Sequence, residues 1–494
     1  MARDALAFGP FRLDLRAHRL FRGTVPVALS AHLVDLLALF ASRPGELLTK
    51  DAIFAAAWPD VFVTDNTLAR AVADLRRALG DDPAAPRYIQ TVARRGYRFV
   101  APVAALDDRP ATSGPDHAAA FDELREFVAS VTDLEHLRVD GLDAVITRLE
   151  RAATVLPDYA PVHVALASAW TLAAESRRAL AVPDRAAVDR AVAAAERARA
   201  LDPALGEAWA TLAFALTSAG RWAEARAAAR QAVRLEPDSW RHHFRLALAA
   251  WGEERLRAAH RALALLPGFP FACFLGATVL VARGLLERAG ELAAQGLAGS
   301  DLATTNERLP ASGLHWLTGA IAAATNRHDD AFFHFAREVD AHDAGRLYST
   351  EFVVNAHHWR AGLHARHGRG DLAIADLRAA LALHPAHPRS LAALGALLVE
   401  GGAEAEGRDL LRRAADAVTA LAEAGRHAEA ALCEATRASI AHEPAPAVEV
   451  LSRMLDQPTA EHAGWTLPIE PWLASLREEP GFEALLRRVA QRAL

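Results

Sequence analysis

Two prolines 34 residues apart, Pro203 and Pro237, enclose a stretch with the pattern of two helices and a turn at Gly220. Small residues in such a unit let the two helices approach, and large residues fill the gap to the next pair. The positions with this pattern are Trp209, Leu212, Ala213, Ala225 and Ala232. Because each unit completes its core only by stacking on a neighbour, the pattern restricts this region to an all-α solenoid.

Further copies of the unit extend the array in both directions. A second clear unit ends at Pro385, with Gly368 at its turn. Weaker copies cover residues 163–180, 240–267, 275–299, 314–338 and 391–415. These stretches resemble the tetratricopeptide repeat family. We therefore expect tetratricopeptide-like helical repeats over residues 119–464 and a helical cap over residues 465–494 that folds back on the array.

A helix with two different faces is predicted immediately before Gly80, a residue that suits the left-handed position after a helix end. An apolar stripe at intervals of four, three and four residues faces a core. It consists of Leu68, Val72, Leu75 and Leu79. The opposite face carries polar side chains that can point together into a groove. They are Thr67, Arg70, Asp74 and Arg77.

A β-hairpin is predicted directly after this helix. Residues 88–92 and 96–100 are rich in β-branched and aromatic residues, and a tight Ala-Arg-Arg-Gly connection joins them. Arg94 and Arg95 therefore lie at a hairpin tip, where guanidinium groups suit the negative potential of a DNA minor groove. Taken alone, the tip could equally be a solvated basic turn. Together, the helix and the hairpin predict contact with duplex DNA.

Upstream of this helix, the sequence predicts a small antiparallel sheet and two more helices. The strands are the alternating stretches 8–15, 19–22 and 25–29. Ser30 is the predicted cap of a helix that ends before Pro44. Thr49 is the predicted cap of a second helix, which runs to Trp58. The fold class is thus an α+β winged helix, with a small N-terminal sheet, three helices and a C-terminal hairpin, followed by the all-α solenoid.

Residues 29–59, 63–82 and 88–103 resemble the OmpR/PhoB-type winged-helix domain of bacterial transcription regulators, and most of all its ToxR/CadC branch. The resemblance implies that the third helix lies in the major groove and that the hairpin, or wing, contacts the DNA backbone or the minor groove. Carried over by position, the DNA-binding residues are Asn66, Thr67, Arg70, Asp74, Arg77, Thr91, Arg94, Arg95 and Tyr97. Some family members carry a basic residue at the position of Asp74, where this acid could accept a hydrogen bond from a cytosine amine.

The N-terminal part of the chain is basic, and the rest is acidic. Residues 1–100 hold 14 Lys and Arg against 10 Asp and Glu, a net charge of +4, whereas the whole chain has a net charge of −6. We expect a winged-helix domain over residues 1–104 and a flexible linker over residues 105–118, which are rich in Pro, Asp, Ser and Gly. Because a single module of this kind binds DNA weakly, we also expect a homodimer or a partner.

The sequence contains no motif of an enzyme or of a cofactor site, so we expect neither catalysis nor a cofactor. Lys50 is the only lysine, which excludes a GxxxxGK phosphate-binding loop. The GxSxG, HExxH and dinucleotide-binding patterns do not occur either. Cys273 and Cys433 lie far apart in helical patterns, which indicates a reducing compartment and no thiolate metal site.

Histidines are dense in one part of the repeats. They are His357, His358, His364, His367, His384 and His387. His364 and His367 are three residues apart and could share a metal ion, but no carboxylate or cysteine spacing completes such a site. Solvated helix histidines and a pH-sensitive patch are the alternatives. We expect no metal.

These patterns predict a cytoplasmic, sequence-specific transcription regulator that binds double-stranded DNA. The repeats would receive a protein, a peptide or a small effector in their groove, or drive self-association. No membrane span is expected, since Pro267, Gly268 and Pro270 interrupt the uncharged stretch 262–282. An interaction scaffold, in which the winged helix contacts protein, is the alternative, and an unrecognised enzyme built on the repeats is a third.

Overall fold

The computed structural model describes residues 5–15, 19–23, 25–27, 29, 31–50, 52–53, 65–83, 85–92, 95–106, 139–178, 184–302, 311–457 and 461–494. The chain divides into two compact units, residues 1–117 and residues 118–494. Each unit has its own hydrophobic core. Ser30, Trp58 and Arg94 lie outside the described residues, as does most of the predicted linker.

Two antiparallel sheets are described in the first unit. Their strands are β1 Ala5–Phe8, β2 Phe11–Asp14, β3 Arg19–Arg22, β4 Val25–Val27, β5 Leu47–Thr49, β6 Ile89–Val92, β7 Gly96–Phe99 and β8 Ala104–Leu106. The larger sheet has the order β4-β3-β2-β1-β8, and the smaller one has the order β5-β7-β6. The predicted N-terminal sheet is present, and β8, which follows the hairpin in the chain, pairs with β1 at its edge.

Two helices with described bounds accompany these sheets, α1 Ala31–Ser42 and α2 Asp65–Leu79. As predicted, α1 ends before Pro44. The Thr49 hydroxyl accepts a hydrogen bond from the Ala52 amide at 3.2 Å, as a helix cap does. The strand β5 was not predicted, because three residues are too short to show an alternating pattern.

The apolar faces of α1 and α2 contribute to the core of the first unit. Leu36, Leu37, Phe40, Leu68, Val72 and Leu75 are at most 1% exposed. Aromatic rings join the two sheets within this core: the Phe8 ring of β1 meets the Phe99 ring of β7 edge-on, at 5.1 Å between centroids. The hairpin β6–β7 is therefore anchored through its base to the rest of the unit.

The second unit is a series of helix pairs. After the helix Leu142–Val155, the described residues contain eight pairs. The pairs are Ala160–Arg178 with Arg185–Leu201, Gly206–Ser218 with Trp222–Leu235, Trp240–Ala249 with Gly252–Leu265, Pro270–Ala282 with Leu286–Leu302, Leu314–Ala324 with His328–Asp340, Ser349–Arg366 with Gly370–Leu383, Pro388–Glu400 with Glu404–Glu423, and His427–Ile440 with Pro444–Asp456. In the described part of the chain, no helix has the length and apolar character needed to cross a membrane.

The glycines in these pairs have the roles that the repeat pattern predicts. Gly220 and Gly368 have φ angles of 72° and 69°, the left-handed conformation at the turn between two helices. A Cβ atom at Gly395 would lie 2.9 Å from the Gly407 carbonyl oxygen, so the two helices of that pair cross closely only because Gly395 has no side chain.

The C-terminal segment, residues 461–494, packs back on the first helices of several pairs. It contains a 3₁₀ helix, Pro471–Glu478, and the helix Pro480–Arg492. The Trp465 ring lies 6.2 Å from the ring of Trp316, and the Trp472 indole N–H donates to the His358 carbonyl oxygen at 2.9 Å. At the end of the segment, the Glu253 amide donates to the Leu494 carbonyl oxygen at 3.3 Å. The segment thus covers part of the first-helix side of the array.

Candidate nucleic-acid interface

The helix α2 has the two faces that its sequence predicts. Leu68 and Leu75 are completely buried, whereas the Arg77 side chain is 78% exposed. Basic residues in the last turn, Arg76 and Arg77, suit the partial negative charge at a helix C-terminus. The helix therefore offers a solvent-facing side that can enter a groove of DNA.

On this exposed face, Arg77 forms an ion pair with Asp74. The Arg77 Nη1 atom lies 2.7 Å from Asp74 Oδ1, and the two positions are three residues apart along the helix. Because the Arg77 side chain remains 78% exposed, the pair is screened by solvent and holds the guanidinium only weakly. Asp74 therefore leaves Arg77 accessible in the free protein.

Three further predicted contacts, Asn66, Thr67 and Arg70, lie on the N-terminal half of α2. Their side chains are outside the described part of the structure. The helical backbone places Thr67, Arg70 and Asp74 at intervals of three and four residues, which is the spacing of one helix face.

The tip of the hairpin presents Arg95. Its amide donates to the Val92 carbonyl oxygen at 3.0 Å, which closes the turn, and its side chain is exposed. The Arg95 carbonyl oxygen accepts from the Lys50 amide at 3.3 Å, which continues the pairing of the hairpin with β5. Arg94, which precedes Arg95 in the sequence, lies outside the described residues.

The two remaining predicted wing residues differ in exposure. Thr91 is exposed on β6, and its hydroxyl accepts a hydrogen bond from Arg76 at 2.9 Å. Tyr97 is only 8% exposed, and its ring packs against Phe40 at 6.3 Å between centroids. The structure thus gives Tyr97 a packing role in the core, and a DNA contact by this side chain remains a prediction.

Two side chains that the sequence analysis did not single out join α2 to the hairpin. The Arg76 Nη2 atom donates to the Ile89 carbonyl oxygen at 2.7 Å. Asp81 is 7% exposed, and one of its carboxylate oxygens accepts from the Ile89 amide at 2.8 Å. The sequence offered one weak signal: Arg76 is four residues after Val72, so it flanks the apolar stripe. Asp81 had the appearance of an ordinary turn residue.

The histidine-rich region of the second unit is not uniformly solvated: His357, His358 and His384 are buried, whereas His367 is exposed. The His358 ring is fully buried, and the pKa of His358 lies well below its usual value because burial penalises the charged imidazole. The His357 Nδ1 atom lies 2.9 Å from Asp376 Oδ1, and the guanidinium of Arg360 binds the same carboxylate. His364 Nε2 is 3.8 Å from Asp376 Oδ2. Among the described residues, no group of three or more His, Cys, Asp or Glu side chains is arranged to hold a metal ion.

A cavity of about 870 Å³ lies inside the second unit, between the N-terminal helices of this unit and its later helix pairs. Its wall includes Glu175, which accepts a hydrogen bond from the Tyr348 hydroxyl at 2.8 Å. It also includes Arg389, which pairs with the buried Glu470 of the C-terminal segment. This volume lies within the range of small-molecule sites, about 300–1,000 Å³.

Known proteins match the two units separately. Residues 24–99 match the family model described as "Transcriptional regulatory protein, C terminal", and residues 206–249 match the tetratricopeptide repeat model. The transcriptional activator CadC of Escherichia coli is 31% identical over 104 residues, which make up 21% of this chain and 20% of CadC. The cholera toxin homolog transcriptional activator of Vibrio parahaemolyticus is 28% identical over 157 residues, 29% of this chain and 50% of that protein.

A solved structure, the DNA-binding domain of E. coli CadC, is 29% identical and is matched over its whole length by 21% of this chain, with a TM-score of 0.20. The chain spans between 20% and 50% of the length of the two curated relatives named above. It combines an OmpR/PhoB-type winged-helix domain of transcription regulators with tetratricopeptide repeats.

Proposed function

We propose that this chain is a sequence-specific transcription regulator whose winged helix binds double-stranded DNA. One observation carries the proposal: the exposed face of α2 is followed directly by a hairpin with an exposed arginine at its tip, within the residues that match the regulator model. A helix in the major groove can read base edges, and a cationic tip beside it can bind phosphates or the minor groove.

The proposed contacts follow from the order of the residues along α2 and the wing. Base reading falls to the helix residues Asn66, Thr67, Arg70, Asp74 and Arg77. The wing residues Thr91, Arg94, Arg95 and Tyr97 make the second set of contacts, and Arg95 is exposed. Such a module gains affinity when two copies bind two half-sites, so we propose a homodimer on DNA, acting in the cytoplasm and without catalytic activity.

We assign control of the regulator to the tetratricopeptide repeats. The C-terminal segment already covers the first-helix side where Trp465 and Trp472 pack. A protein, peptide or small effector would therefore use the uncovered part of the array, including the cavity beside Glu175 and Arg389. A ligand there would contact both the N-terminal helices and the later helix pairs of this unit. Its binding could change the spacing of two winged-helix domains.

The test is selection of bound duplexes from a randomised library by the full chain. We expect a recurring motif. Replacing Arg70 or Arg77 by Ala should then weaken binding to the selected duplex by about 1–3 kcal/mol for each base that the arginine reads. Arg453→Ala is a matched control, because Arg453 is also an exposed helix arginine beside an acid, Glu449, but lies in the repeats.

A protein-interaction scaffold is the second candidate, and the Arg77–Asp74 ion pair favours it. This pair makes the exposed face of α2 less cationic than its arginines alone would make it. If the full chain selects no motif and binds no duplex at low ionic strength, the regulator proposal is wrong and the scaffold takes its place.

A further inference from the structure

The backbone of Ile89, at the start of the wing, is held by Arg76 in the last turn of α2 and by Asp81 just after this helix. Its carbonyl oxygen accepts from Arg76 Nη2 at 2.7 Å, and its amide donates to Asp81 Oδ2 at 2.8 Å. The Asp81 amide in turn donates to the Arg76 carbonyl oxygen at 2.8 Å. These three contacts form a closed ring that joins the helix end to the first wing strand.

We propose that Arg76 and Asp81 are positioning residues for DNA recognition. They fix the wing relative to α2 so that the helix and the wing contact the DNA at the same time. The inference rests on the proposed function. It adds a role for two side chains that belong to neither predicted contact surface.

Arg76 is chemically suited to this role. One nitrogen of its guanidinium serves two acceptors, the Ile89 carbonyl oxygen and the Thr91 hydroxyl, at 2.7 and 2.9 Å. The two acceptors, one main-chain and one side-chain, are two residues apart on β6, so a single planar group reaches both. The Nε atom of Arg76 is itself buried. The two N–H bonds of the Nη2 nitrogen have directions fixed by the planar guanidinium, whereas the hydrogens of a lysine ammonium rotate freely.

Asp81 completes the joint from the opposite side of the strand start. Its Oδ1 atom accepts from the amides of Arg87 and Tyr88 at 2.6 and 3.2 Å, in addition to the Ile89 bond of Oδ2. Buried amides left without a partner are costly, so this carboxylate fixes the path of the chain into β6. The Asp81 side chain therefore sets where the wing begins, and Arg76 sets the direction in which it runs.

The joint between α2 and the wing should affect sequence-selective DNA binding and general DNA binding differently. Selective binding requires base contacts from the helix and contacts from the wing at the same time, within tolerances well below 1 Å. General binding requires only cationic charge near phosphates. A loosened joint should thus lower selective affinity while general affinity follows the number of charges.

The experiment compares full-length variants on two probes, the duplex selected from the randomised library and a scrambled duplex of the same composition. Arg76→Met should lower affinity for the selected duplex about tenfold or more. Its effect on the scrambled duplex should match that of Arg43→Met, a control that removes one exposed arginine charge from the turn after α1. Arg76→Lys keeps the charge, so it should leave affinity for the scrambled duplex unchanged and still lower the selective affinity.

Asp81→Asn is the second variant, because it keeps the shape and one carbonyl acceptor of the side chain. We expect it to lower selective affinity more than general affinity, with unchanged circular dichroism. An equal decrease on both probes for Arg76→Met, Arg76→Lys and Asp81→Asn would overturn the positioning role and leave these residues as ordinary structural supports. Failure of the parent chain to select any duplex would refute the proposed function instead.

Discussion

Gly96 lies so close to Leu48 that a Cβ atom at Gly96 would be 2.0 Å from the Leu48 carbonyl oxygen. Gly96 opens β7, with a φ angle of 150°, where β7 pairs with β5. The close approach lets β5 run along the base of the wing. A side chain at position 96 would push the two strands apart.

We predict that Gly96→Ala detaches the wing from β5 and costs the first unit more than about 2 kcal/mol. Gly80→Ala is the matched control: Gly80 has a φ of 65° but no atom within 4 Å of its added Cβ, so only backbone strain of about 1 kcal/mol is expected. Hydrogen exchange measured on peptides from residues 86–103 should show faster exchange in Gly96→Ala. Equal protection in the two variants would contradict the steric argument.

The elements with local signals are the ones that the sequence predicted well. The helix α2 shows its apolar stripe within 15 residues, and the hairpin shows its strands and turn within 13, so each pattern is complete in a short window. The strand β5 has only three residues and is defined by its pairing with β7. Strand pairing between segments that are distant in the chain produces no periodic pattern in the sequence.

The same limit explains the residues that were missed or misread. Nothing near Arg76 in the sequence shows that its guanidinium will meet β6, which is formed 13 residues later. Solvated helix histidines were one interpretation of the group that includes His358, yet His358 is buried beneath Trp472, which is 114 residues away. Helical spacing identifies a face, but what covers that face depends on the folded chain.

Arg95 should contribute charge to DNA binding without selecting a sequence. Arg95→Ala is expected to weaken binding to every duplex, and to reduce the slope of log affinity against log salt concentration by about 0.9 for one phosphate contact. Fluorescence anisotropy over roughly 50 to 200 mM salt measures this slope. If the variant keeps the parent slope while its preference among sequences changes, Arg95 reads bases rather than phosphates.

Trp472 should hold the C-terminal segment on the repeats through packing more than through its hydrogen bond. It is 7% exposed, and a Cβ added at Gly362 would lie 3.0 Å from its ring. Trp472→Phe removes the bond to the His358 carbonyl oxygen, with an expected cost of about 1 kcal/mol. Trp472→Ala also leaves a cavity, with an expected cost of about 3–5 kcal/mol.

Urea unfolding and limited proteolysis of residues 461–494 measure this effect. Phe333→Ala serves as the control, because Phe333 is 59% exposed and its truncation should change stability by less than about 0.5 kcal/mol. Similar midpoints for Trp472→Phe and Trp472→Ala would show that packing of the indole contributes little.

The paired histidines beneath the C-terminal segment should make the second unit less stable in mild acid. The Ser390 hydroxyl lies 3.3 Å from His358 Nδ1 and 2.7 Å from His387 Nδ1. Burial lowers the pKa of both imidazoles well below 6.5, and the charge of Arg389 acts in the same direction. His384 and Glu470 are the other titratable groups that face this cluster.

The sign of the pH effect follows from the neutral folded state. The unfolded chain binds protons at these histidines below about pH 6.5, whereas the folded chain does not, so unfolding becomes more favourable as the pH falls. The free energy of unfolding should have its full value above pH 6.5. Below pH 6.5 it should decrease by up to about 1.4 kcal/mol per pH unit for each histidine. Burial raises the pKa of Glu470, which has the opposite effect at lower pH, so urea midpoints are best compared between about pH 5.5 and 8. His358→Gln removes one of the two groups and should make this decline shallower, whereas an unchanged slope would mean that protonation of His358 is not coupled to unfolding.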